Sequence, residues 1–546
     1  MKRIPPKETH YYPTFRDFLT GVARRFPDKT AITTLSRGGN RQEKTFRELQ
    51  EDSYAFARAL FACGLGGRHI AIVSENSYEW LVAYFGIVSS GGVAVGIDTE
   101  QSDETLTQMV LQADAEAIAA SKSLSSLCRT IQQTSESEIR LLPCSAGAEW
   151  DAFLQSGNTP EAEAAFSACK LDPKQTASIV YTSGTTSTAK PVMLSHSAIL
   201  YNAADSLTIL DSRDRIYNSL PLYHTYGLTC GVLCGLMRGL NVCLNRDLKR
   251  MVQEMTAFQP NMLVAVPLII EAIYKMIWSS IEKSGKKALV QRMIRIESLL
   301  HRPYSLLASG IRAALQGTAL EQLDIILSGG AHLDPTIAKE LRHFGMIVLQ
   351  GYGITECSPS ISCNRNEDYS LDSVGMVLPG NEVKFVDDEI WVRGYALMNG
   401  YYKAPELTAE AFEDGWFKTG DLGYLDRKGH LHITGRKKNL IVMKNGKKVA
   451  AEEMEDAIRK CPLVKDVMVH GAPSGNSADD VKIAALIYPD PERAENMSSY
   501  EILEQLQAFI NDMNDHLPIY KQVQMVNIRE TDFDRTSSKK IKRQMV

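Results

Sequence analysis

Apolar residues recur at two spacings along this chain, and the alternation between them sets its architecture. Residues 45–65 carry apolar side chains at helical spacing and end at Gly64, which predicts an amphipathic helix. The run H-I-A-I-V-S at 69–74 predicts a buried strand. Residues 77–90 predict a helix capped by Asn76, with Glu79 three residues on, and 93–97 a second strand after Gly91-Gly92. A strand, an apolar crossover helix and a strand mark a parallel α/β sheet. The pattern continues weakly through 98–175, at 117–120 and 139–142, and turns polar around 155–160. Further strands are predicted at 217–222, 260–267, 323–328 and 346–349, with an apolar helix at 228–237 opened by Gly227. Beyond residue 436 the elements become short: strand 440–443, helix 451–460, strands 464–470 and 482–488, helix 499–517 and strand 522–527. That alternation is of a size to fold as a small α+β domain by itself.

The most informative stretch is 181–197, Y-T-S-G-T-T-S-T-A-K-P-V-M-L-S-H-S. An apolar run at 177–181 feeds a Ser/Thr/Gly turn, and 192–194 predicts a second strand, so the loop joins two strands. Its hydroxyls and amides suit phosphate oxygens, and Lys190 adds a mobile point charge. A polar surface hairpin is the alternative. Gly184 and Lys190 have the spacing of G-x-x-x-x-G-K-[ST], but Ala189 replaces the second glycine and Pro191 the magnesium-holding hydroxyl. The loop instead resembles the phosphate loop of the adenylate-forming (AMP-binding) superfamily, T-S-G-T-T-G-x-P-K-G-V. Thr182, Ser183, Gly184, Thr185, Thr186, Lys190 and Val192 match, whereas Ser187, Ala189 and Pro191 depart.

Four later segments extend that resemblance. S-L-P-L-Y-H-T-Y-G-L at 219–228 resembles the family's L-P-L-F-H-x-x-G, which implies an acyl site at Tyr223, His224, Tyr226 and Gly227, with His224 catalytic. No substrate-amine aspartate of the amino-acid-activating type follows, which points to a simple carboxylic acid. Gly330 and Ala331 follow one strand and Q-G-Y-G-I-T-E another; strand ends with glycine turns are where an open α/β sheet binds its ligand. Gly351 and Gly353 admit a base near Tyr352, Thr355 donates to phosphate, and Glu356 is a carboxylate for Mg2+ together with Thr182. About 25 residues through G-W-F-K-T-G-D-L-G-Y-L-D-R-K-G-H-L-H-I-T-G-R-K-K-N match in register. They imply that Asp421 takes the ribose hydroxyls, Arg436 contacts the nucleotide and Lys438 is a hinge. The end, T-S-S-K-K-I-K-R, resembles T-S-T-G-K-I-x-R; Lys540 takes the catalytic lysine position and Lys539 replaces glycine.

The resemblance spans 45–543 and is nearest to long- and medium-chain fatty acyl-CoA synthetases. It implies a large N-terminal region (1–436) of stacked α/β subdomains with mostly parallel sheets, and a small mobile α+β lid (437–546). The implied reaction converts a fatty or other carboxylic acid and Mg-ATP to an acyl-adenylate, then to a thioester with CoA through a tunnel loop at Asn445-Gly446. Transfer to an acyl carrier protein, and a silent acyl- or nucleotide-binding homologue, are the alternatives.

Composition narrows the partners. Sixty Lys and Arg against 65 Asp and Glu give a net charge of −5, which argues against general nucleic-acid binding. None of the ten cysteines has metal-ligand spacing, and Cys230 and Cys234 are expected as buried thiols on one helix face. No apolar run reaches the ~20 residues needed to span a bilayer, no signal peptide is legible at 1–34, and a cytoplasmic protein is expected. The basic stretch 274–321 is read as a solvated helix face, with peripheral membrane contact as the alternative.

Overall fold

The computed structural model describes residues 7–36, 38–135, 138–182, 189–299, 307–443, 447–473, 481–535 and 541–543. They form two compact units, one of residues 1–182, 189–382 and 393–415, the other of 383–392 and 416–546.

The first unit contains two large sheets. One has seven strands in the order Gly400–Tyr401, Pro191–Ser195, Thr176–Tyr181, Val93–Gly96, His69–Val73, Ala117–Ala120 and Arg140–Pro143. The last five of these run parallel and the first two antiparallel. The other has nine strands, with a parallel centre from Ile347–Gly353 through Ile325–Ser328, Met262–Ala265, Arg215–Asn218 and Asn241–Leu244 to Thr30–Leu35. Its edges are antiparallel. The expected α/β class with mostly parallel sheets is what the chain forms.

Local chemistry explains the helices between them. Phe46–Ala62 starts in a capping box, Thr45 accepting from Glu48 N while the Glu48 carboxylate accepts from Thr45 N. Pro267–Lys283 buries Ile270, Ile273, Ile277 and Ile281 at 3.6-residue spacing, each worth roughly 1.5–3 kcal/mol of transfer free energy.

Three expectations need correction. Tyr78–Ser89 is capped by Ser77, which accepts from Trp80 N, and not by Asn76. The Asn76 amide instead donates to Leu220 O (2.9 Å) and Asn245 O (3.0 Å) and accepts from Leu222 N (2.9 Å). One Asn side chain can satisfy three backbone groups that no strand reaches, which a serine hydroxyl cannot. The segment after Gly227 is a π-helix, Tyr226–Leu233, that becomes α-helical only at Cys234–Met237. Finally, Q-G-Y-G is not a turn after a strand. Ile347–Gly353 carries it inside the strand, where Gly351 pairs with Cys363 and Tyr352 with Ser362.

In the second unit, Trp416–Leu425 pairs antiparallel with Glu389–Gly394 on one side and Leu431–Arg436 on the other. A hairpin, Leu440–Val442 with Lys448–Ala450, leads into the sheet of Val464–Pro473, Val481–Pro489 and Met525–Ile528, packed with helices Ala451–Ile458 and Ser499–Asp515. This is the small α+β arrangement expected.

Candidate active site

In the first unit, the strands Thr176–Tyr181 and Pro191–Ser195 are antiparallel, as expected for a loop joining two strands. At its neck Thr182 N donates to Lys190 O (3.0 Å) and Lys190 N donates to the Thr182 hydroxyl (3.1 Å). Ser183, Gly184, Thr185, Thr186 and Ser187 lie outside the described residues. The Lys190 ammonium stands 5.0 Å from the centroid of the Tyr401 ring, and the Tyr401 hydroxyl donates to Glu356 Oε1 at 2.8 Å. Burial, and then the Glu356 charge, push Tyr401 above the usual phenol range, so it stays a donor at any working pH. Tyr401 is 4% exposed and therefore fixes both partners from inside the protein.

One hydrogen bond occupies Glu356 Oε1, and among the described residues Glu356 Oε2 has no hydrogen-bond partner. The Thr182 hydroxyl oxygen accepts one bond and keeps a second lone pair. A carboxylate oxygen and a hydroxyl are the hard donors that Mg2+ takes alongside substrate phosphates, so this donor set fits that ion.

The turn carrying Glu356 is held from both sides. Glu356 and Thr355 lie in the 3-10 turn Thr355–Cys357, whose Glu356 O accepts from Met398 N (2.9 Å). A Cβ on Gly353 would sit 2.2 Å from Pro359 O, so the returning strand, and not only a ligand, demands glycine there. Gly330 and Ala331 are exposed at the end of Ile325–Ser328.

Tyr223, His224, Tyr226 and Gly227 sit where the loop after Arg215–Asn218 enters the π-helix. The Tyr223 and His224 rings are 4.7 Å apart, and both line a small cavity with Trp80, Tyr84, Ser178 and Thr229. The Tyr226 hydroxyl donates to Leu327 O (3.0 Å), tying this loop to the strand Ile325–Ser328 that precedes Gly330. A Cβ on Gly227 would lie 2.2 Å from Pro221 O. Cys230 and Cys234 are buried, as expected, near Ser360 Oγ (3.4 Å) and Ala203 O (3.5 Å).

In the second unit, Asp421 and Arg436 face each other across two strands, with Arg436 Nε 2.9 Å from Asp421 Oδ1. Asp421 is 3% exposed and Arg436 is half-buried. The buried Glu389 carboxylate accepts from Gly420 N (3.1 Å) and Lys437 Nζ (2.8 Å), which fixes the strand backbone just before Asp421. Lys438 lies in the 3-10 turn Lys437–Asn439. Asn445, Gly446, Lys539 and Lys540 lie outside the described residues.

Sequence reading missed Tyr401, Asn76 and Glu389 as supports. Tyr401 stands in N-G-Y-Y, a segment with no polar pattern to mark it, and its signal is only a tyrosine next to a glycine strand end.

The chain is similar to several known proteins. A long-chain-fatty-acid–CoA ligase of Mycobacterium bovis is 30% identical, over 83% of this chain and 78% of that protein. A chloroplastic long-chain-fatty-acid–[acyl-carrier-protein] ligase of Arabidopsis thaliana is 28% identical, over 85% and 75%. Among solved structures, the anthranilate CoA ligase AuaEII in complex with anthranoyl-AMP superposes with a TM-score of 0.78, at 20% identity over 98% of this chain and 96% of that one. The sequence profile described as AMP-binding enzyme matches residues 19–402, and that of the AMP-binding enzyme C-terminal domain matches 438–546. With both profiles matched along its length, the chain belongs to the AMP-binding enzyme family.

Proposed function

We propose that this protein is an acid–thiol ligase that activates a fatty acid. The acyl carboxylate attacks the α-phosphorus of ATP, the bond to the β-phosphate oxygen breaks, and acyl-adenylate and pyrophosphate form. The CoA thiolate then attacks the acyl carbonyl and AMP leaves. The observation that carries this reading is the Lys190–Tyr401–Glu356 cluster at the neck of a Ser/Thr/Gly loop: a cation for the departing pyrophosphate beside a carboxylate for the metal.

The first half-reaction brings anions together, so it needs charge neutralisation more than proton transfer. Bound Mg2+ would supply Lewis-acid polarisation and charge neutralisation at the phosphates. Lys190 and the 182–186 loop hold the triphosphate end, with Thr182 and Glu356 as the metal-side oxygens. Gly330, Ala331, Gly351, Tyr352, Gly353 and Thr355 take the nucleotide. Tyr223, His224, Tyr226 and Gly227 take the acyl end. Asp421 is suited to accept from the ribose hydroxyls, with Arg436 steadying it. Lys540 bridges the acyl carboxylate and α-phosphate, Lys438 is the hinge, and Asn445-Gly446 guides the thiol. The fatty acid, as the finer assignment, is supported by the relatives that are named for long-chain acids and by the missing amine-binding aspartate after His224.

A second reading, transfer to an acyl carrier protein, is favoured by the plant relative named for that acceptor. Pyrophosphate release is to be measured with Mg-ATP and acids from short to long chain and aromatic, each alone, with CoA, and with phosphopantetheinylated carrier protein. Release that depends on a long-chain acid and turns over only with CoA is the expected result. Single-turnover release relieved only by carrier protein selects the second reading. ATP binding without release under any condition overturns both.

A further inference from the structure

The helix that follows Lys190 carries a polar residue at a place where it needs a tertiary partner. Strand Pro191–Ser195 leaves Lys190 and runs without a loop into helix His196–Leu207, which Ser195 caps by accepting from Ala198 N (3.1 Å). Asn202 lies near the middle of that helix and is 0% exposed, so no bulk water reaches its amide. Asparagine is a poor helix former, and an amide is costly to bury unless it is hydrogen-bonded.

The turn that carries Glu356 takes up that amide. Asn202 Nδ2 donates to Cys357 O (3.2 Å) and Ser360 O (2.7 Å), and its Oδ1 accepts from Ser360 N (3.0 Å). Three bonds from one short side chain thus bracket residues 357–360, directly after Glu356. Satisfying a buried carbonyl does not by itself call for all of them, since Ser360 O also accepts from Asn381 Nδ2 (3.0 Å). The turn is one that has to be held. Ser358 has a φ of +68°, a left-handed conformation that a residue other than glycine keeps where its surroundings impose it. The Thr229 hydroxyl donates to Ser358 O (3.1 Å), and Ser358 Oγ donates to Ala396 O (2.8 Å). Of these contacts, those of Asn202 tie the turn to the element that starts at Lys190.

We propose that Asn202 is a positioning residue that registers the Glu356 carboxylate against Lys190. The helix His196–Leu207 then sets the spacing between the metal side and the pyrophosphate side of the site. Tyr401 orients the carboxylate oxygen, and Asn202 holds the backbone that bears it. Mg2+ demands near-ideal octahedral geometry, so a small displacement of one oxygen ligand weakens its binding. The inference rests on Glu356 holding Mg2+, as proposed above.

A double-mutant cycle on the full chain tests it, read as Mn2+ binding by electron paramagnetic resonance with ATP and no acid, so that nothing turns over. Asn202→Ala should weaken Mn2+ binding on the order of tenfold, as when a metal ligand loses its outer support, while the KM for the acid stays that of the parent. Glu356→Gln should weaken Mn2+ binding too. Adding Asn202→Ala to Glu356→Gln should weaken it no further, because the group to be positioned is gone. Asn202→Ser carries the same cycle if circular dichroism shows the alanine variant unfolded. Ile277→Ala, a core truncation in the helix Pro267–Lys283, is the control for lost stability and should bind Mn2+ like the parent. Additive losses in the cycle, or an equal loss in the Ile277 control, overturn the positioning role. So does parent-like Mn2+ binding by the Asn202 variants while Glu356→Gln is impaired, and in that case Glu356 keeps its metal. Parent-like binding by Glu356→Gln overturns the metal reading and this inference with it.

Discussion

Tyr401→Phe isolates one hydrogen bond at the proposed metal carboxylate. The substitution keeps the ring beneath Lys190, 5.0 Å from its centroid, and removes only the 2.8 Å bond to Glu356 Oε1. A hydrogen bond to a charged acceptor contributes about 1.5–3 kcal/mol. If the whole of that orients Glu356 for the cation, the apparent Mg2+ affinity in the presence of ATP falls roughly 10- to 100-fold, the range found when a metal ligand loses its outer support. Calorimetric titration of ATP at a series of Mg2+ concentrations, and Mn2+ binding followed by electron paramagnetic resonance, read this without turnover. The KM for the acid should be unchanged. Tyr401→Leu should lose more, because the cation–π contact worth ~0.5–2 kcal/mol goes as well. Glu356→Gln is the internal reference. If it weakens Mg2+ binding and Tyr401→Phe does not, the positioning role of Tyr401 is wrong. If neither does, Glu356 does not hold the metal.

Three further outcomes are expected. Lys540→Ala should lose acid-dependent pyrophosphate release but still form thioester from supplied acyl-AMP, and equal loss of both steps would refute its role in adenylation. The buried His196 is held down to about pH 4 by burial and then by Arg16, with its Nδ1 accepting from Phe15 N. Its folded pKa is depressed, so its contribution is full above about pH 6.5 and lost as pH falls toward 4; urea titrations should show about 2 kcal/mol lost between pH 7.5 and 5, and His196→Phe should flatten that slope. Asn76→Ala leaves Leu220 O, Asn245 O and Leu222 N without their partner; chemical denaturation should show a loss of about 2–4 kcal/mol. An unchanged midpoint would mean that the 220–222 loop does not need the clamp.

What the sequence determined is what short-range chemistry determines. The buried runs at 69–74 and 93–97 and the helix between them are local patterns, and they appear as His69–Val73, Val93–Gly96 and Tyr78–Ser89. The loop between two strands at 181–192 was legible because β-branched and apolar residues after Lys190 cannot open a helix. Asp421 and Arg436 were legible because the motif that carries them is contiguous in sequence, about 25 residues matching in register. Tertiary structure decided the rest, because the partners are far apart along the chain. Tyr401 meets Glu356 from 45 positions away, and Asn76 reaches Leu220 across 144. No local pattern distinguishes a capping asparagine from one whose amide must satisfy backbone groups in distant loops. The helix Lys287–Leu299 shows the same limit: aliphatic residues and arginines interleave along it, but only packing showed that Val290, Met293 and Ile294 are the ones that meet the core.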